Sequence, residues 1–186
     1  MTQTNFTLDR SQTALLVVDM QEKVFASVDR GFEILQSIFK VIKGFELLEL
    51  PIYISEQYPI GLGETLTPLK TLLGNDYKPW IKSTFSCLDD PVIFAAIQEL
   101  PFQQWIVVGI EAHVCVLQTA KGLMKMGKQV AVLNDAISSR SIYDFSTAIA
   151  EMRDCEIRIS SVETILFELV KDSKVKEFKL IKDIIK

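Results

Sequence analysis

"TALLVVDM" (residues 13–20) is the stretch on which the fold turns. It is a short apolar run without strict alternation, and it ends in an acid. A strand with one wet face alternates apolar and polar side chains, so an unbroken run suits a parallel strand covered on both faces. Asp19 then falls at the C-terminal end of that strand. From Gly31 onward, Leu35, Ile38, Ile42, Phe45 and Leu48 recur at helical spacing, and "LPIYIS" (50–55) follows as a second strand. Strand, helix and strand make a βαβ unit.

Working outward, the same alternation continues. "EQYPIGLGET" (56–65) breaks both periods with Pro59, Gly61 and Gly63 and reads as a loop before a short helix around 66–73. "KPWIKSTFS" (78–86) is extended in character, "PVIFAAIQEL" (91–100) is helical with Pro91 suited to a first turn, and "QWIVVGI" (104–110) is another buried strand. Leu117, Ala120 and Met124 share a helix face, "KQVAVLNDA" (128–136) is a strand running into Asp135, and 141–153 is a helix before the strand "CEIRISS" (155–161). Helices over 161–170 and 173–185 close the chain. The pattern predicts a three-layer α/β/α architecture, an open, mostly parallel sheet of five to six strands with helices on both faces. No repeat, linker or low-complexity tract divides it, so residues 1–186 read as a single domain.

The totals agree and narrow the function. A chain of 186 residues with 48% hydrophobic residues can bury a substantial core. A formal charge of −4 gives no electrostatic footprint for nucleic acid. The start "MTQTNFTLDR" lacks a basic segment followed by an apolar one, and no run approaches bilayer length, so no membrane is expected. Cys87, Cys115 and Cys155 are odd in number and widely spaced, which suits a reducing, cytoplasmic setting better than a disulfide framework or a zinc knuckle.

In an open parallel sheet, ligands bind beyond the carboxyl ends of the strands. Asp19, Lys82 and Cys115 stand there. Cys115 follows "WIVVGI" closely, which places its thiol in the first turn of the next helix, where unpaired N–H groups and the helix dipole favour a thiolate. A thiol that attacks a carbonyl also needs a proton acceptor, a supporting cation and donors for the oxyanion, and Asp19 and Lys82 could supply the first two. Each residue alone also has a plainer reading: Cys115 as a small core hydrophobe, Asp19 as a helix N-cap, Lys82 as a solvated charge.

"LLVVDMQ", "KSTFS", "VVGIEAHVCVLQTA" and "NDAISSRS" (134–141), in this order, resemble the isochorismatase-like cysteine hydrolases, over roughly residues 11 to 170. The resemblance implies a catalytic triad of Asp19, Lys82 and Cys115. It also implies a cis peptide between Ile110 and Glu111 and an oxyanion hole made by the backbone N–H groups of Glu111 and Cys115. The implied activity is hydrolysis of a small amide-like molecule through a cysteine thioester, by a homo-oligomer. The alternative is a binding or scaffold protein of the same fold that responds to oxidation at Cys115.

Family isochorismatases lack a cysteine at this place, so Cys115 points toward carbon–nitrogen hydrolysis. Nicotinamidases bind a divalent metal with an Asp-x-His and a second His, whereas this chain has one His in total and "SEQYPIGLG" (55–63) has none. No metal and no other cofactor is expected. That loop is similar to the "EQYP" loop of isochorismatase-domain proteins, which makes Glu56, Gln57 and Tyr58 candidate pocket residues. Phe25, Trp80 and Phe85 are candidates for an apolar wall, with core packing as the alternative. His113 lies two residues from Cys115, where the side chains diverge, so it is not the expected base. Asp135 and Arg140 could pair with each other or hold a loop near the site. The C-terminal stripe Val175, Phe178, Ile181 and Ile185 suits docking on the domain or on a sister subunit.

Overall fold

A computed structural model describes residues 6–186. Its strands are β1 (Thr13–Val18), β2 (Ile52–Gln57), β3 (Trp80–Lys82), β4 (Gln104–Ile110), β5 (Gln129–Ser138) and β6 (Arg158–Ser160). They form one sheet in the order β3-β2-β1-β4-β5-β6, with every neighbouring pair parallel. The helices among the described residues are α1 (Glu22–Phe25), α2 (Gly31–Leu47), α3 (Pro59–Leu62), α4 (Thr67–Leu73), α5 (Pro91–Glu99), α6 (Leu117–Lys125), α7 (Ile142–Asp154), α8 (Val162–Val170) and α9 (Lys176–Ile185).

Unbroken apolar runs became the central strands, as the pattern required. Every residue of β1 and β4 is buried. Alternate side chains serve opposite faces: Leu15 and Val17 join Ile38, Ile42 and Phe45 of α2 and Leu166 of α8, while Leu16 and Val18 join Ile97 of α5, Leu123 of α6 and Met152 of α7. Each such aliphatic side chain contributes roughly 1.5–3 kcal/mol on burial, which fixes β1 at the centre of three layers. Local signals set the helix starts. Asp90 accepts from the N–H groups of Val92 and Ile93 at 2.9 and 3.1 Å ahead of Pro91, and Ser141 accepts from Tyr143 at 3.1 Å.

The chain winds outward from β1 to β2 and β3, then returns to lay β4 on the other side of β1. The strand order therefore reverses between β1 and β4, the place where open α/β sheets bind their ligands. Asp19 follows one of these strands and Cys115 the other.

Several boundaries differ from the sequence reading. The second strand runs to Gln57, so Glu56 and Gln57 belong to the sheet, paired with Ile81 and Lys82, and not to a loop. The loop contains the short helix α3. Only Trp80–Lys82 of "KPWIKSTFS" is strand, and only Arg158–Ser160 of the last predicted strand. Cys115 sits inside a π-type turn, Ala112–Val116, and not in the first turn of α6. The amphipathic C-terminal helix docks on the chain itself, with Ile181 buried in the core shared with α2 and α8.

Gly109 shows how tightly β1 and β4 meet at the switch point. Its φ is 119°, and a Cβ there would collide with the backbone carbonyl oxygen of Val18. Gly109→Ala is expected to lower the unfolding free energy by about 3 kcal/mol, read from urea unfolding curves.

Candidate active site

The sheet brings Asp19 and Lys82 together from strands that are not neighbours. Asp19 leaves β1 with φ at 50°, a left-handed conformation a non-glycine residue adopts only under outside restraint. Its N–H donates to the Ser55 carbonyl on β2 at 3.2 Å, and the Ser55 hydroxyl donates to Asp19 Oδ1 at 2.7 Å. From β3, Lys82 Nζ donates to Asp19 Oδ2 at 2.6 Å and to the carbonyls of Thr84 and Phe85, both at 3.1 Å. Both residues are 2% exposed. The ammonium thus has three acceptors, the arrangement a buried lysine requires. Burial alone would depress the Lys82 pKa. The Asp19 carboxylate, with Cys115 and Cys87 nearby, more than reverses that, and Lys82 is held above its ordinary value.

Cys115 is 5% exposed. Its Sγ–H donates to Gln57 Oε1 at 3.4 Å. Burial first, then the negative charge of Asp19, push this thiol well above its ordinary range, with Lys82 opposing. The expectation of a thiolate at a helix N-terminus is thereby corrected: apolar surroundings and an adjacent carboxylate outweigh the turn's dipole, and the resting group is a neutral thiol. Such a thiol attacks only when a base takes its proton. The Ile110–Glu111 peptide just upstream is cis.

Ser55 and Gln21, which the motifs did not single out, belong to the arrangement, and Cys87 lies beside them. Gln21 is fully buried, and its side chain holds both backbone groups of Gln57: Oε1 accepts from Gln57 N–H at 2.8 Å, and Nε2 donates to Gln57 O at 3.0 Å and to Gly63 O at 2.6 Å. Cys87 is fully buried close to the pair. Burial, then the Asp19 charge, raise its thiol to about 11, with Lys82, Ser55 and Thr119 acting to lower it. The serine in "LPIYIS" and the glutamine in "LLVVDMQ" were the visible signals, lone polar side chains inside or just beyond buried strands.

The remaining candidates fall out differently. Glu56 is buried, and its Oε1 accepts from Thr65 N–H at 2.6 Å and Tyr77 OH at 2.5 Å, so its head serves the fold. Tyr58 and Phe85 are 57% and 53% exposed beside Lys82, to whose carbonyl Tyr58 N–H donates and whose ammonium reaches Phe85 O. Phe25 packs its ring against Gly31, and Trp80 stacks on Tyr53 with centroids 4.8 Å apart. His113 Nδ1 bonds to Ser139 Oγ at 2.9 Å. Asp135 and Arg140 do not pair. Asp135 caps α8 through Val162 N–H at 3.0 Å, and Arg140 meets Glu111 at 2.8 Å, because Asp135 lies within β5 facing the start of α8 while Arg140 lies past its end. Among the described residues no three or more His, Cys, Asp or Glu side chains gather as a metal cluster, and no helix is long and apolar enough to cross a membrane.

A six-stranded, all-parallel sheet flanked by helices is the architecture of the isochorismatase-like α/β fold. Residues 13–164 match the isochorismatase domain, and the chain belongs to that family. It is similar to isochorismatase domain-containing protein 2 of Homo sapiens, with 35% identity covering 94% of this chain and 83% of that protein. Among solved structures, the MAR1 ribonuclease from Caenorhabditis elegans superposes with a TM-score of 0.90 at 34% identity, covering 97% of this chain and 92% of that one. The YcaC gene product from Escherichia coli, described as an octameric hydrolase of unknown specificity, shares the fold with a TM-score of 0.88 at 18% identity, over 96% and 90% of the two chains.

The raised thiols carry a pH consequence. An unfolded thiol ionises near its ordinary value of 9.0, whereas folded Cys87 keeps its proton to about 11. The native state therefore binds more protons than the unfolded state in that window, and stability falls as pH rises from about 9 to about 11. Urea unfolding across this range is expected to show that slope, and Cys87→Ala to reduce it; an unchanged slope in the variant would refute the assignment.

Proposed function

We propose that residues 1–186 act as one hydrolase domain that cleaves the carbon–nitrogen bond of a small amide-like molecule through a thioester on Cys115. The observation carrying this reading is the buried Lys82–Asp19 pair at 2.6 Å, set against a thiol that needs a base. In this reading Asp19 accepts the thiol proton as Sγ bonds to the carbonyl carbon. The electron pair displaced onto the carbonyl oxygen is met by the N–H groups of Glu111 and Cys115. The tetrahedral species collapses, and the leaving amine takes the proton from Asp19. Water then adds to the thioester with Asp19 as base, releasing the acid and restoring the thiol. Lys82 stays charged throughout and holds the carboxylate in place. Gln57, Tyr58, Phe25 and Phe85 are the residues proposed to face the substrate, and the steps use only the chain's own groups.

The buried position of Cys115, 5% exposed, supports a small substrate. The similarity to a protein described as a ribonuclease makes RNA the competing reading; the net charge of −4 weighs against a polyanion. On a panel of small amides, Cys115→Ala is expected to abolish turnover and Asp19→Asn to lower kcat by about a thousandfold. Acid-quenched wild-type enzyme is expected to carry acyl mass on Cys115. Full turnover by Cys115→Ala, or cleavage of RNA oligonucleotides that depends on Cys115, sinks the amidase reading. Absence of turnover together with reversible oxidation of Cys115 favours the scaffold alternative.

The protein is further proposed to work as a cytoplasmic homo-oligomer. Light scattering coupled to size exclusion is expected to give a mass at least twice the 21.0 kDa of one chain; a monomer at micromolar concentration counts against it.

A further inference from the structure

In the resting structure the Cys115 thiol has two acceptors within reach, the Gln57 amide oxygen and the Asp19 carboxylate. Sγ donates to Gln57 Oε1 at 3.4 Å, and Gln57 Nε2 faces the Ser83 carbonyl at 3.5 Å, which fixes which end of the amide meets the thiol. An amide oxygen accepts a hydrogen bond yet is no base at physiological pH. A thiol so engaged keeps its proton.

Gln57 does not hold this position alone. Its N–H and C=O are both taken by the side chain of Gln21, whose own N–H donates to the Asp19 carbonyl at 2.7 Å. Gln21 spends its remaining amide hydrogen on Gly63 O, so every hydrogen-bonding group of a fully buried side chain is committed. A continuous polar chain runs from Asp19 through Gln21 and Gln57 to Cys115. For a residue with no contact to the thiol, this is a narrow set of commitments, and each bears on where Gln57 sits.

We infer that Gln21 and Gln57 form a two-glutamine relay that parks the Cys115 thiol in a protonated resting state, with Gln21 as the positioning residue and Gln57 as the acceptor. Passing of the thiol's hydrogen bond from Gln57 to the Asp19 carboxylate is then the step that arms the nucleophile. The role rests on Cys115 being the nucleophile, but its signature is that of the thiol itself and is independent of any substrate.

The S–H stretching band of Cys115 in the infrared, assigned by difference against Cys115→Ala, reads the hydrogen bond directly. Gln57 is only half-buried, so Gln57→Ala leaves the core intact. In that variant the band is expected to move to lower frequency as the thiol turns wholly to the Asp19 carboxylate, a stronger acceptor. Gln21→Met is expected to shift it the same way, and the double variant to add nothing, because both substitutions break one contact. Alkylation of Cys115 by a small neutral reagent at pH 8 is expected to rise about threefold in each, relative to Cys155, as the thiol is left with Asp19, which can take its proton. Should Gln21→Met fail to fold, Gln21→Asn withdraws the amide by one methylene and tests the same link. A band unmoved in Gln57→Ala overturns the relay. A band moved by Gln57→Ala but not by the folded Gln21 variant removes Gln21 from it, and additive shifts in the double variant assign Gln21 a purely structural role. Lack of turnover on every amide, with these shifts present, counts against the hydrolase reading alone.

Discussion

The structure around the site depends on one ion pair, Lys82 with Asp19, both inside the protein. Two charges removed from water cost several kcal/mol each unless they find partners, and here the partners come from strand ends and from the turn that follows β3. Asp19 comes from the end of β1, Ser55 from β2 and Lys82 from β3, so the pair exists only when three strands lie in register. It also explains how a three-residue strand holds the edge of the sheet. Ile81 in the middle of β3 is more than half exposed and contributes little burial, whereas Lys82 ties the strand to the centre through Asp19 and to its own following turn through Thr84 and Phe85.

The pair also bears on the thiols. Burial first, and then the Asp19 carboxylate beside them, disfavour a negative charge on Cys115 and Cys87, and both are pushed upward in consequence. In the proposed reaction a site built this way trades resting reactivity for control: the Cys115 nucleophile would form only with the proton's departure. The glutamine side chains complete that logic, since Gln57 offers the thiol proton an acceptor that cannot keep it, and Gln21 spans from the Asp19 backbone to Gln57.

Much of this was legible in the chain. The apolar runs at 13–18 and 104–110 gave the central strands because burial on both faces leaves no place for alternation, and the acid after the first run marked the carboxyl end of β1. Less legible was the turn holding Cys115. A π-type turn carries no distinct sequence signature, and the thiol's ionisation is shifted first by burial and then by Asp19, a residue 96 positions away whose effect depends on the sheet order. Glu56 looked like a pocket residue because Pro59, Gly61 and Gly63 made its segment read as a loop and that loop is similar to the "EQYP" loop of isochorismatase-domain proteins; the strand extends through it since its backbone pairs with Ile81 and its carboxylate is needed by Thr65 and Tyr77.

By itself the sequence determined the parallel α/β class, the order of elements and the three residues that the strand ends present, because hydrophobic periodicity and local punctuation act over a few residues. Only the tertiary structure decided that Arg140 meets Glu111 and not Asp135, that Ser55 and Gln21 belong to the site, and that Cys115 rests as a thiol. Those outcomes depend on distance, burial and the field of charges from other strands, quantities that exist only once the sheet has brought its ends together.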